Sequence, residues 1–302
     1  MGGFWKLRAL LLLAGTCLVS ACFGQSSTFG EETEIRPNSA AAPATCSGSV
    51  PTNAVEAALR LVCLRDNSGI GNIAVEKAII IGFDGGFVRS HDMKHPEVQF
   101  AAHLREAYPS EVHTEVFSNH DGKHALSRVL QLLSEGGDGV PTSLEKEKPK
   151  VIIYGHSWGA AQAVTLARDL GRLGIPVSLA ILVDSVHKPG HNDAVIPPNV
   201  RNFVNFYQTR GLIHGRSQIR ASDPQRTNTI GNFRMAYEDR HIDCDNYPWI
   251  ARHLNKPHHE IENDPLVWEQ IASMIDSDLF KRSSVVEASL PSTPLVVKQD
   301  RR

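Results

Sequence analysis

The pentapeptide Gly-His-Ser-Trp-Gly at 155–159 constrains the fold more than any other feature of this chain. It follows the apolar run 151–154 and precedes the helix-compatible stretch 160–170, an order typical of a strand, a sharp turn and a helix with a serine at the apex. So tight a turn strains the serine backbone, and glycines on either side let strand and helix pass without a Cβ clash. We therefore predict that the hydroxyl of Ser157 stands exposed at the end of a sheet strand.

Apolar runs alternate with helix-compatible stretches along most of the chain. Strands are predicted at 78–81, 112–117, 151–154, 177–183 and 203–207. Alternating strands and helices predict a parallel sheet that is covered on both faces. The 302 residues are enough for one enzyme-sized domain with a substantial core.

With the serine turn on the third predicted strand, the chain resembles the α/β-hydrolase superfamily from about residue 78 to about residue 280. This resemblance implies an α/β fold with a mostly parallel central sheet and helices on both faces. It also implies that the catalytic groups follow one another as serine, acid and histidine. We place the hydrolase domain at 46–285 and a C-terminal tail at 286–302.

Asp184 is the candidate acid because it directly follows the strand predicted at 177–183. Ligand chemistry in open parallel sheets takes place at the carboxyl ends of the strands. After the next predicted strand no acidic residue occurs before Asp223, and the placement at Asp184 resembles that in lipases of the pancreatic type. The alternative role for Asp184 is a helix or turn cap.

The base is predicted from its position before the last helix. Asp264 as N-cap and Pro265 at the first position predict the start of that helix, and the resemblance places the catalytic histidine on a loop just upstream. His258 and His259 both lie there. His258 is the first choice because the segment that it opens resembles the H-x-x-I-x-x-D pattern of several bacterial hydrolases, His259 is the second, and His241 is a distant third.

Two backbone N–H groups are needed to hold the oxyanion of an acyl-transfer reaction. The amide of Trp158 comes with the serine turn. The loop after the first predicted strand resembles the oxyanion loop of lipases, with Ile81 in place of that loop's histidine, and this implies the amide of Phe83 as the second donor. A simple glycine-rich turn is the alternative. We expect Asp84 to point away from the site or to pair with Arg89.

The N-terminus has the composition of an export signal. Basic residues precede the apolar run 9–19, which is too short to span a bilayer, and the sequence Leu-Val-Ser-Ala-Cys at 18–22 resembles a bacterial lipobox. We predict a lipoprotein signal peptide at 1–21, lipidation of Cys22 and a flexible tether over 22–45. The expected location is a membrane, by mild preference the bacterial outer membrane, and the alternative is a soluble exported protein.

In an exported protein the remaining cysteines can form a disulfide. We predict a bond between Cys46 and Cys63, with Cys244 left single. Three unpaired thiols are the alternative, since connectivity cannot be derived from sequence.

The sequence argues against several classes of partner. The net charge of −2 and the absence of a basic cluster argue against nucleic acid. His91, Asp92, His95 and Glu97 have no zinc-motif spacing, and serine catalysis needs no metal, so we expect neither metal nor cofactor.

These residues predict a serine hydrolase that cleaves carboxylic esters or thioesters of a small molecule or lipid through an acyl-enzyme. Two alternatives use the same fold: a catalytically silent, membrane-tethered binding module, and an acyltransferase with the same three side chains.

Overall fold

Six parallel strands form the central sheet of the computed structural model, which describes residues 77–86, 88, 91–108, 112–245 and 247–280. The strands in chain order are β1 (Ala78–Phe83), β2 (Val112–Phe117), β3 (Lys150–His156), β4 (Val177–Val183), β5 (Val195–Ile196), β6 (Val200–Tyr207), β7 (Arg220–Ala221) and β8 (Asn228–Arg234). The sheet order is β2-β1-β3-β4-β6-β8, and every neighbouring pair is parallel. The short strands β5 and β7 pair separately.

Helices cover both faces of this sheet. They are α1 (Pro96–Ala107), α2 (Gly122–Leu133), α3 (Ser143–Glu147), α4 (Trp158–Arg172), α5 (Trp249–Asn263) and α6 (Pro265–Leu279). One apolar layer joins Ile80 of β1 to Phe100 of α1 and Trp268 of α6, while the other joins Ile81 to Leu166 of α4 and to residues of α2. Neighbouring residues of one strand therefore serve opposite layers, as a sheet buried on both faces requires. The predicted fold class is confirmed.

The buried strands lie where the apolar runs predicted them, and β2 and β4 have the predicted bounds. The strand β8 was not predicted. Most of its residues are exposed at the sheet edge, so its sequence lacks an apolar run. Asn205 of β6 donates a hydrogen bond to Asn232 of β8 at 2.9 Å, and Asn228 donates one to Asn202 at 3.1 Å. Polar side chains thus support this edge, whereas the prediction of strands relied on apolar runs.

Some predictions fall outside the described residues. These are the signal peptide at 1–21, the tether at 22–45 with Cys22, the Cys46–Cys63 disulfide and the tail at 286–302. None of the helices among the described residues is long and apolar enough to cross a membrane.

Candidate active site

The turn between β3 and α4 has the strained geometry that its sequence predicts. Ser157 has φ 56° and ψ −122°, a backbone conformation that side-chain-bearing residues rarely adopt. A Cβ at Gly155 would lie 2.5 Å from the carbonyl carbon of Gly159, and a Cβ at Gly159 would lie 2.3 Å from the carbonyl oxygen of Phe83. Both glycines are needed because the strand, the helix and the loop after β1 approach one another so closely.

Ser157, His258 and Asp184 meet at the carboxyl edge of the sheet. His258 Nε2 lies 3.1 Å from Ser157 Oγ, and His258 Nδ1 lies 2.6 Å from Asp184 Oδ2. All three side chains are buried. The imidazole therefore bridges a hydroxyl and a carboxylate, which is the geometry in which a histidine can take a proton from serine.

Backbone and side-chain donors hold the carboxylate of Asp184 in place. Its Oδ1 accepts hydrogen bonds from the backbone N–H of Gly215 at 2.7 Å and of Gln208 at 3.2 Å. Its Oδ2 accepts from the Gln208 side chain at 2.8 Å in addition to His258. Asp184 also has a positive φ of 44°, so the loop that carries it is set in a constrained conformation. Sequence reasoning missed Gln208 and Gly215, since neither follows a recognised motif.

The histidine lies on a helix and not on the predicted loop. His258 follows a kink in α5, where Asn255 has non-helical φ −132° and Pro257 lies inside the helix. Proline removes a backbone donor and breaks the regular helix, so the residues after the kink take a new direction. The second candidate, His259, stacks its ring on Tyr247 with centroids 3.9 Å apart. The expected start of α6 is confirmed, because the Asp264 side chain accepts a hydrogen bond from the backbone N–H of Leu266.

Burial and nearby charges set the protonation states around Ser157. Burial lowers the pKa of His258, and the hydrogen bond to Asp184 only partly opposes this, so the ring is neutral at pH 7 and able to accept a proton. The ring of His156 packs against that of His258 with centroids 4.7 Å apart. Burial opposes the charge on His156, but Glu262 and Glu97 outweigh it and raise its pKa to about 9.

The loop after β1 lies beside the serine turn. Trp158 is the first residue of α4 and Phe83 is the last residue of β1. A Cβ at Gly85 would lie 3.0 Å from the Cβ of Ser157, so this glycine allows the loop to approach the nucleophile. The loop after β1 therefore lies close to Ser157.

Asp84, in the same loop, is fully buried, and its Oδ1 accepts a hydrogen bond from the backbone N–H of Asn119 at 3.2 Å. Burial and the neighbouring Glu97 raise the pKa of Asp84 to about 8. The carboxyl is therefore mostly neutral at pH 7 and does not oppose an oxyanion electrostatically. Arg89, the expected partner of Asp84, lies outside the described residues.

A second polar cluster lies behind the ring of His156. One ligand-type atom from each of His95, Glu97 and Glu262 lies within 4.8 Å of the others. His95 Nδ1 is 2.8 Å from Glu262 Oε1, and His156 Nδ1 is 3.1 Å from Glu97 Oε1. The cluster joins the start of α1 to the end of α5, the helix that carries His258.

Comparison with known proteins finds similarity only at the level of solved structures, since no family model and no curated protein matches the chain. The chain is similar to a cutinase-like protein from Cryptococcus sp., with 14% identity, 68% of this chain and 95% of that chain covered, and a TM-score of 0.36. The chain is also similar to a protein from Xanthomonas campestris pv. campestris described as a hydrolase of the α/β superfamily, with 14% identity, 67% of this chain and 99% of that chain covered, and a TM-score of 0.32. A third similar structure is an acetylxylan esterase, with 10% identity, 68% of this chain and 100% of that chain covered, and a TM-score of 0.33. Such distant likenesses carry no functional argument, and the function has to be argued from the site.

Proposed function

We propose that the protein is a serine hydrolase that cleaves carboxylic esters or thioesters through an acyl-enzyme. The observation that carries this proposal is the bridging position of His258, 3.1 Å from Ser157 Oγ and 2.6 Å from Asp184 Oδ2. A serine hydroxyl is a weak nucleophile at neutral pH, and a neutral imidazole held by a carboxylate is what activates it.

The proposed reaction has two halves. Ser157 Oγ attacks the carbonyl carbon while its proton passes to His258 Nε2, and Asp184 stabilises the imidazolium that forms. The amides of Trp158 and Phe83 are the proposed donors to the oxyanion. His258 then protonates the departing alcohol or thiol, and water, activated by the same histidine, releases the acid and regenerates Ser157.

An apolar acyl group suits the surface beside this site. Trp249, Ile250 and Leu254 in the first part of α5 are exposed, as is Leu212 in the loop after β6. This loop lies against α5, because a Cβ at Gly211 would be 3.9 Å from the Leu254 carbonyl oxygen. Exposed apolar residues on the helix that carries the proposed base favour an apolar ligand, which supports a lipase-like or esterase-like preference.

We further propose that the enzyme is exported and held at a membrane through an acylated Cys22. The support is the sequence alone: an apolar run of signal-peptide length followed by a lipobox-like segment. An acylated cysteine anchors a protein without a transmembrane helix. Metabolic labelling with an alkyne-tagged palmitate should mark the wild-type chain and leave Cys22→Ala unmarked.

Fluorophosphonate labelling of the purified full-length chain tests the proposed chemistry without knowledge of the substrate. The wild type should label, whereas Ser157→Ala should not. His258→Ala should lose at least about 1000-fold in labelling rate, while the neighbouring His259→Ala should retain labelling within about tenfold. Circular dichroism establishes that each variant is folded.

A folded wild type that stays unlabelled while a known serine hydrolase reacts would show that Ser157 is not activated and would favour the binding module. Once labelling is established, p-nitrophenyl esters and acyl thioesters of increasing chain length define the preferred leaving group and acyl group.

A further inference from the structure

The cluster formed by His95, Glu97 and Glu262 is not used by the proposed reaction, yet it is unusual for a protein interior. Two glutamates are buried together, with exposed side-chain fractions of 0% for Glu97 and 4% for Glu262. Buried carboxylates are costly unless a cation or several donors neutralise them. The imidazoles of His95 and His156 offset part of this charge, but Glu97 Oε2 is left without a hydrogen bond among the described residues.

Glu97 is the least satisfied member. Neither of its carboxylate oxygens has a hydrogen-bond partner among the described residues. The imidazole of His156 is near Glu97 Oε1, at 3.1 Å, and near Glu262 Oε2, at 3.6 Å. Glu97 Oε2 has no ion-pair partner either in the described part of the chain. A buried carboxylate oxygen of this kind is a position that a water or an ion can occupy.

The residue types in the cluster are those that bind a transition metal. The ion-pair partners of the two glutamates are all histidines, whereas arginine is the usual partner of a carboxylate that only needs an ion pair. Imidazole nitrogen and carboxylate oxygen together suit zinc and its neighbours in the first transition row. Zinc bound at about 2.0–2.2 Å holds its ligand atoms about 3.3 Å apart, so ligand atoms within 4.8 Å need only small side-chain movements.

We propose that His95, Glu97 and Glu262 form a binding site for a divalent first-row transition metal ion, with Zn²⁺ as its representative. His95 keeps 15% of its side chain exposed and is the most exposed of the three ligands. The ion joins the start of α1 to the end of α5. Glu262 lies one helical turn after His258, so the ion fixes the part of α5 that carries the proposed base.

Local sequence spacing predicts no such site because Glu262 is far along the chain from His95 and Glu97. The ligands meet only in the folded chain, where His95 Nδ1 before α1 lies 2.8 Å from Glu262 Oε1 near the end of α5.

Zinc binding to the metal-free, full-length protein tests this inference. The protein is stripped with a chelator, dialysed and titrated with ZnCl₂ by isothermal titration calorimetry, and bound zinc is then counted by mass spectrometry. We expect one equivalent of tightly bound zinc. Glu97→Gln and Glu262→Gln should each weaken binding by at least about 100-fold, because loss of a hydrogen bond to a ligand alone costs about 10–100-fold. Zinc should also raise the melting temperature of the wild type.

Glu260→Gln is the matched control, since Glu260 is also a buried glutamate of α5 and pairs with Lys256 outside the cluster. It should bind zinc as the wild type does. If a glutamate variant does not fold, His95→Gln at the partly exposed edge replaces it and should also weaken binding. The proposal is overturned if the wild type does not bind one equivalent of zinc tightly. It is also overturned if the variants of Glu97, Glu262 or His95 fold and bind zinc as the wild type does. Because calorimetry does not depend on catalysis, this result is independent of the proposed hydrolase activity.

Discussion

Asp184→Asn tests the proposed triad most sharply, because the structure determines how an asparagine would be oriented. The Oδ1 position faces two backbone N–H groups, those of Gly215 and Gln208. Backbone donors cannot rotate away, whereas the Gln208 side chain that donates to Oδ2 can, and it keeps its other hydrogen bond to the Ile213 carbonyl. The amide oxygen of an asparagine should therefore occupy the Oδ1 position and its NH₂ group that of Oδ2. The opposite orientation would leave buried donors facing each other, at a cost of about 1–3 kcal/mol.

In the wild type, His258 Nδ1 lies 2.6 Å from Asp184 Oδ2. In the variant, an NH₂ group at that position would donate a hydrogen bond to His258 Nδ1. The imidazole then has to accept at Nδ1 and carry its proton on Nε2, facing Ser157. This tautomer cannot take the serine proton, so we expect the rate to fall by about 10⁴-fold. Four factors of ten, at about 1.36 kcal/mol each, correspond to about 5.4 kcal/mol of lost transition-state stabilisation.

The assay is the second-order rate of fluorophosphonate labelling, followed by kcat/KM for a p-nitrophenyl ester that the wild type accepts. Asp193→Asn is the control, because Asp193 is also a fully buried carboxylate and accepts from Ser185 outside the triad. It should lose stability but keep its labelling rate within about tenfold. A folded Asp184→Asn that loses less than tenfold would refute the tautomer argument.

Three further predictions concern the same region. Gly159→Ala should lower the free energy of unfolding, measured in urea, by about 1–3 kcal/mol or more, because the added Cβ would lie 2.3 Å from the carbonyl oxygen of Phe83. Gly136→Ala is the control: its added Cβ would meet no atom within 4 Å, so the free energy of unfolding should change little. The labelling rate should fall to half only below pH 6.5, because burial lowers the pKa of His258 from that value; a midpoint above 7 would contradict this. Asp84 binds a proton on folding, since its pKa is raised from 3.8 to about 8, so its contribution to stability is full below about pH 4 and is lost as the pH rises to 8. Urea titrations should therefore show a smaller loss of stability between pH 5 and pH 8 for Asp84→Asn than for the wild type.

Sequence patterns were sufficient where one short segment determines both local structure and position. The serine turn combines an apolar strand with two glycines, and Asp184 directly ends a buried strand, so both could be placed at one sheet edge. The start of α6 could be predicted in the same way, because two neighbouring residues, Asp264 and Pro265, together determine it. Such features depend on backbone sterics and hydrogen bonds between near neighbours.

Features that depend on contacts between distant segments could not be predicted. The strand β8 has an exposed, polar sequence and is held by asparagine side chains of β6. Gly215 and Gln208 approach Asp184 only after the chain has left β4, formed β6 and returned. The position of His258 on a helix depends on the kink at Asn255, for which Pro257 is the one local signal.

The helical segment that carries His258 begins at a kink and ends at a buried, hydrogen-bonded carboxylate. At its start, the kink at Asn255 separates this segment from the exposed first part of α5. At its end, the carboxylate of Asp264 caps α6 and also accepts hydrogen bonds from Tyr237 at 3.0 Å and Arg240 at 2.8 Å. Because Asp264 is fully buried, these bonds fix the junction of α5 and α6 to the chain after β8. The kink and the hydrogen bonds of Asp264 therefore delimit the segment that holds the imidazole within reach of Ser157.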